Sequence, residues 1–247
     1  MIGVTGLALM FGMMMAPVDT NAKGRGMGNA GNQQNGLSTI ISTMPMQDLS
    51  ALEEIGLTKM REEEKLARDV YQALHDKWGH HVFSNIAQSE QQHMNAIHAL
   101  LKKYSMEDPA AETPAGVFID PELQELYNSL IEQGEQSLVE AFQVGATIED
   151  LDIKDLYDFL EQTDNTDIKT VYQNLVKGSR NHLRSFYYQL SLNGAEYEAQ
   201  FLTAAQIDDI VSSPRERGRV NENGEQVSAN RKAGKKGGRH HMGNSKS

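Results

Sequence analysis

From residue 49 to 192 the apolar positions recur three and four apart, the spacing of helices that bury one stripe. Strand-type alternation is scarce, so the pattern predicts an all-α fold. A first helix is expected over roughly 50–77, with Met60, Ala67, Tyr71 and Leu74 on its stripe and Gly79 as its C-cap. A second follows over roughly 82–104, carried by Ile86, Ile97, Leu100 and Leu101. Pro109, Pro114 and Gly116 interrupt the pattern and mark a connection over 105–120. Asp120 and Pro121 then read as N-cap and first residue of a short helix reaching about 132. A third long helix is expected over roughly 136–162, with Leu138, Phe142, Ile148 and Leu156. After turn chemistry at 163–167, a fourth runs over roughly 167–192, with Val171, Leu175, Leu183 and Phe186. Residues 195–211 are expected to form a short final helix. Two hairpins joined by about thirty residues make a four-helix bundle with one long crossover.

The flanks follow other rules. Residues 2–16 are apolar, small and uncharged, and too short for an ordinary membrane span. They fit the core of a secretory signal over 1–22, with Thr20, Asn21 and Ala22 at its cleavage site. The expectation is therefore an exported protein, periplasmic or extracellular, with no membrane span after processing. Residues 23–48 are Gly- and Asn-rich and read as a linker to a domain over 49–214. In 215–247 nine Lys and Arg face three Glu, a net +6 on a segment nearly free of large apolar residues. Such a segment is expected to be a disordered basic tail. His240 and His241 within it are a weak metal-catching pair.

Charge sharpens this division. The chain of 247 residues carries a net charge of −11, and residues 1–48 balance, so the middle holds −17. That argues against a nucleic-acid partner for the whole chain. Cysteine is absent, which excludes disulfides, thiolate metal sites, iron–sulfur clusters and cysteine nucleophiles. Redox chemistry in this chain needs a metal held by oxygen and nitrogen, or a borrowed cofactor.

Acids and histidines occupy positions where the core should be. Glu64 sits between Met60 and Ala67 on the first stripe, with Tyr71 two turns on. Glu90 and His93 share a face between Ile86 and Ile97; Glu149 and Asp152 share one with Phe142 and Leu156; His182 follows Leu175 by seven. Glu62 is expected on a solvated face, with Glu63 as a competitor of Glu64. His75 and His98 are expected at the surface or in a satisfied core position, and His80 and His81 facing solvent at the hairpin turn. Glu64 lies 15 residues before Gly79, and Glu90 and His93 lie 11 and 14 after it. Glu149 lies 15 before Asp164, and His182 lies 18 after it. At about 1.5 Å per residue each cluster is roughly 17–27 Å from its own turn. The turns of a one-crossover bundle lie at opposite ends of helices about 40 Å long, so the four clusters meet near mid-height. Isolated buried carboxylates cost several kcal/mol each, and a divalent metal pair bridged by carboxylates and completed by imidazoles removes that cost.

Four strings carry a resemblance: Met60 to Tyr71 (MREEEKLARDVY), Phe83 to Met94 (FSNIAQSEQQHM), Val144 to Leu156 (VGATIEDLDIKDL) and Gly178 to Phe186 (GSRNHLRSF). Together they resemble the ferritin-like superfamily, and within it an uncharacterised branch designated only a domain of unknown function. The resemblance covers about residues 50–211. It implies a ferritin-like four-helix bundle with two divalent metal ions, iron first and manganese or zinc next. It implies Glu64, Glu90, His93, Glu149 and His182 as ligands, and Tyr71 as a residue of the reaction that hydrogen-bonds across the bundle. Ser179 stands where related sites carry a second Glu-x-x-His glutamate, and Asp152 is the candidate to supply the missing carboxylate. The implied activity is that of a nonheme diiron or dimanganese oxidoreductase acting on O2, peroxide or Fe(II). A metal-binding or storage module without turnover, and an interaction protein with a vestigial site, are the alternatives. The implied partners are metal ions and a small oxidant, with homodimer formation left open.

Overall fold

The computed structural model describes residues 30–227, with side chains from Leu37 onward. The expected signal segment and the pair His240 and His241 lie outside the described residues. Seven helices follow in order: α1 (Ala30–Thr43), α2 (Ala51–Trp78), α3 (His81–Lys103), α4 (Pro121–Gly134), α5 (Leu138–Gln162), α6 (Thr166–Leu192) and α7 (Ala204–Ser212). The only β-bridge among the described residues is an isolated antiparallel one between Val220 and Gln226.

The caps explain where the helices begin and end. Ser50 accepts from the Glu53 amide while Glu53 returns to the Ser50 amide, a capping box that starts α2. Gly79 ends it with φ +66°, a conformation costly for any residue with a Cβ. Asp120 caps α4 ahead of Pro121, and Ser137 caps α5. His80 corrects the sequence expectation. It does not simply face solvent, for its ring accepts from the Val82 amide as the N-cap of α3. The same ring packs edge-on against Phe142, with centroids 5.1 Å apart.

Helices α2, α3, α5 and α6 form the bundle. Each hairpin pair, α2 with α3 and α5 with α6, is in contact along its length, and the hairpins meet through α2 with α5 and α3 with α6. The crossover between the hairpins contains α4, which packs on α2 and α5. This is the bundle with one long crossover that the apolar spacing predicts. Its core falls into two apolar blocks. One, around Tyr71, Phe83, Phe142 and Phe186, fills one end. The other, around Met60, Ile97, Leu100, Val171 and Leu175, fills the opposite end. Between them lies a polar layer of Glu64, Glu90, His93, Glu149, Asp152, Ser179 and His182, all buried.

Four parts differ from the sequence expectation. The linker over 23–48 includes α1, whose Leu37 and Ile41 are buried against the second apolar block. Lys103 Nζ holds the end of that helix by donating to the carbonyls of Ile41 and Met44. The final helix is shorter than expected, because Asp150 organises residues 197–202 as a loop. Its carboxylate accepts from the Tyr197 hydroxyl and from the amides of Gln200, Phe201 and Leu202. Glu62 is buried instead of solvated, accepting from the amides of Ile119 and Asp120 and so anchoring the crossover. Finally, the first part of the basic tail is folded: residues 213–227 form a strap across α6. Asn181 donates to the Glu216 carbonyl and accepts from its amide, and Asn174 does the same for Val220. No described helix is long and apolar enough to cross a membrane.

Candidate metal centre

Each ligand candidate reaches the polar layer for a local reason. Glu64 replaces an apolar residue on the α2 stripe between Met60 and Ala67, so burial of the stripe buries it. Glu90 and His93 are three apart on α3 and lie on one face. Glu149 enters from α5 and His182 from α6. The result is two overlapping triads, Glu64 with Glu90 and His93, and Glu90 with Glu149 and His182. Within each, one ligand atom from every residue lies within 4.8 Å of the others.

Glu90 joins the two. Its Oε2 is 2.6 Å from His93 Nδ1 and its Oε1 is 2.7 Å from His182 Nδ1. His93 Nδ1 is also 3.2 Å from Glu64 Oε2, and His182 Nδ1 is 3.4 Å from Glu149 Oε2. The imidazole rings stack at a 5.5 Å centroid distance. Supporting contacts fix the outer edges. The Tyr71 hydroxyl donates to Glu149 Oε1 at 2.5 Å, and Ser89 Oγ is 3.0 Å from His182 Nε2. Gly178 backs His93, since a Cβ there would lie 2.5 Å from His93 Nε2.

Burial and mutual charge set the protonation of these groups. Burial raises Glu64 to about 8, against the pull of His93. Burial alone would raise Glu90 too, but His182 and His93 hold it well below the usual carboxylate range. Burial would lower both histidines. Glu64 and Glu90 instead raise His93 well above its ordinary value, and Glu90 and Glu149 raise His182 to about 10. Glu149 is raised by burial and by Glu90, against His182. Burial, then Glu149 and Glu90, keeps the Tyr71 phenol protonated.

Glu64 Oε1 is buried with no hydrogen-bond partner, while Glu90 Oε1 and His182 Nδ1 lie against each other, 2.7 Å apart. Native interiors rarely leave a buried carboxylate oxygen unmatched, and Glu64 Oε1 belongs to the first triad. The donor set of carboxylate oxygens and imidazole nitrogens suits first-row divalent metals. The residues therefore fit a pair of such ions, and the triads are able to chelate them.

Asp152 stands apart from both triads. It is buried beside them, and the Ser179 hydroxyl donates to its Oδ2 at 2.5 Å. Burial, Glu64 and Glu149 raise its pKa well above the ordinary value. Glu63 also lies outside the triads, 3.2 Å from Lys59 Nζ. His98 is exposed, and His75 Nδ1 lies 3.3 Å from the His80 carbonyl. Sequence reasoning did not single out Ser89 or Gly178. A glycine inside a strongly helical pattern was the available signal for the second.

Residues 53–214 match the family described as "Uncharacterized protein domain (DUF2202)". The chain belongs to the DUF2202 family. Uncharacterized protein MJ0754 of Methanocaldococcus jannaschii is 52% identical over 178 residues, which span 72% of this chain and 96% of that protein. The crystal structure titled as that of hypothetical protein MJ0754 from Methanococcus jannaschii DSM 2661 superposes with a TM-score of 0.69 at 50% identity. The match covers 70% of this chain and 99% of that one. The DUF2202 segment contains every residue of both triads, together with Tyr71, Ser89 and Gly178. It ends at residue 214, before most of the strap.

Proposed function

We propose that this DUF2202 protein is a dinuclear nonheme metal protein, with iron as its metal, that acts as an oxidoreductase on O2, peroxide or Fe(II). The observation that carries the reading is the pair of buried triads sharing Glu90, with Glu64 Oε1 left unmatched in the first. Glu64 and His93 would hold one ion, Glu149 and His182 the other, and Glu90 would span them. Bound as a pair, ferrous ions supply two electrons to one oxidant. The protein's own part is geometry and exclusion. Tyr71 orients Glu149 and keeps a phenolic proton beside it, Ser89 orients His182, and apolar blocks close the layer at its two ends. Two divalent ions bring four positive charges, and the three triad glutamates bring three negative ones. Asp152, within the same layer, is suited to balance the fourth without ligating. The apolar stretch 2–16 supports reading the protein as exported.

The test is metal content followed by turnover. The full chain, purified without chelator or affinity histidines and offered Fe(II) anaerobically, should hold two ions per chain, lost in Glu90→Ala/His93→Ala. Consumption of O2 or peroxide by the loaded protein supports the oxidoreductase. Two ions with no consumption supports a storage module, and no metal uptake refutes the reading.

A further inference from the structure

A cavity of about 340 Å³ lies between α3, α6 and the strap, large enough for a small molecule. His93 and His182 line it, so it reaches the histidine side of both triads. Its other wall is cationic, with Lys177 from α6 and Arg215, Arg217 and Arg219 from the strap. The acid lining it, Glu216, is already paired with Arg180 and Arg184. Lys177 Nζ reaches only neutral oxygens, the Gly218 carbonyl and Asn174 Oδ1. Burial lowers the Lys177 pKa despite Glu216, and Arg180 and Arg219 lower it further. Four cationic residues thus line one cavity, three of them from the basic segment laid over a domain whose residues 49–214 carry −17. Leu37, Ala96 and Leu175 add an apolar wall. The clamps from Asn174 and Asn181 fix the strap backbone that carries the arginines.

Such a field opposes entry of a free metal cation and draws in anions. A bare inorganic anion would leave the apolar wall unused. We propose that this cavity binds a small organic anion, with its oxyanion head on Lys177 and the strap arginines and its apolar part on Leu37, Ala96 and Leu175, and presents it to the histidine side of the metal centre. The proposal deepens the metal reading, and rests on it only for what the anion meets after binding. The arginines lie beyond the DUF2202 segment, so this specificity belongs to the strap.

The experiment is a calorimetric titration of hexanoate, and separately of inorganic phosphate, into the full chain at low salt, before and after removal of metal by chelation. Hexanoate is expected to bind both forms, and to bind more tightly than phosphate. Arg215→Gln/Arg217→Gln/Arg219→Gln is expected to weaken it at least tenfold, with metal per chain unchanged. Asn174→Ala/Asn181→Ala, which frees the strap and touches no triad, is expected to do the same. No hexanoate binding by the wild-type chain, or equal binding by the arginine variant, overturns the proposal. Phosphate binding as tight as hexanoate overturns the organic assignment. Hexanoate binding by a chain that takes up no metal sustains the anion site and refutes the metal reading, so the two fail separately.

Discussion

Gly178→Ala tests the centre through a residue that ligates nothing. The added methyl would lie 2.5 Å from His93 Nε2 and 2.6 Å from its Cε1. Ordinary contact begins near 3.4 Å, so the ring must retreat by roughly 0.9 Å. Metal–ligand bonds tolerate displacements of only about 0.2 Å. His93 has no simple retreat, because its other nitrogen faces Glu90 at 2.6 Å and Glu64 at 3.2 Å. The fold should survive. Overpacking costs about 1–3 kcal/mol, and replacing a mid-helix glycine by alanine returns about 1 kcal/mol. The expected result is selective. The triad containing His93 loses affinity by about ten- to a hundredfold, while Glu90, Glu149 and His182 keep theirs. Anaerobic Fe(II) titration with elemental analysis after gel filtration reads this as a fall from two ions per chain to one. Helicity by circular dichroism and the urea midpoint provide the control for folding. Two ions at wild-type affinity would refute the assignment of His93 as a ligand.

Three further outcomes are expected. Tyr71→Phe removes the donor to Glu149 Oε1; it should lower stability by about 1–3 kcal/mol in urea unfolding and weaken metal binding about tenfold or more. Asp152→Asn should retain two ions per chain at reduced affinity, since Asp152 bonds to Ser179 and lies outside both triads; a fall to one ion by elemental analysis would place it among the ligands. Metal uptake should release protons, because His182 holds its proton up to about 10 and Glu64 up to about 8; affinity should therefore rise with pH through that window, measured by titration in weak buffer. The metal-free fold should respond in the opposite sense. The raised His182 contributes stability that is complete below the ordinary histidine value of 6.5 and is lost as pH rises through about 10, visible in urea midpoints against pH.

The long helices were legible because their signals are local: a capping box at Ser50 and Glu53, Gly79 after α2, Asp120 before Pro121, and apolar stripes between. The polar layer was legible because Glu64, Glu90, His93, Glu149 and His182 interrupt those stripes at matching heights. What escaped is held by groups that hydropathy does not register. The strap is anchored by backbone bonds to two asparagine side chains, with Val220 as its one buried apolar residue. Glu62 and Asp150 look like solvated acids in sequence, yet each is buried to collect amide hydrogens from a distant loop. Helix α1 rests on Leu37, Ile41 and the distant Lys103, too sparse a pattern to stand out from Gly- and Asn-rich surroundings.

The shared glutamate also bears on how the bundle assembles. Glu64, Glu90 and His93 all belong to the α2–α3 hairpin, so their triad joins residues close in the chain. The triad of Glu90, Glu149 and His182 instead spans both hairpins, across the long crossover. An ion held there would act as a removable cross-link between two halves of the molecule that the chain connects through the crossover. Its effect would fall on the pairing of the two hairpins, a non-local step with a loop-closure cost. Where that docking is completed after the transition state, the bound ion slows unfolding far more than it hastens folding. Metal occupancy would then set how long the assembled bundle persists, in addition to any chemistry performed inside it.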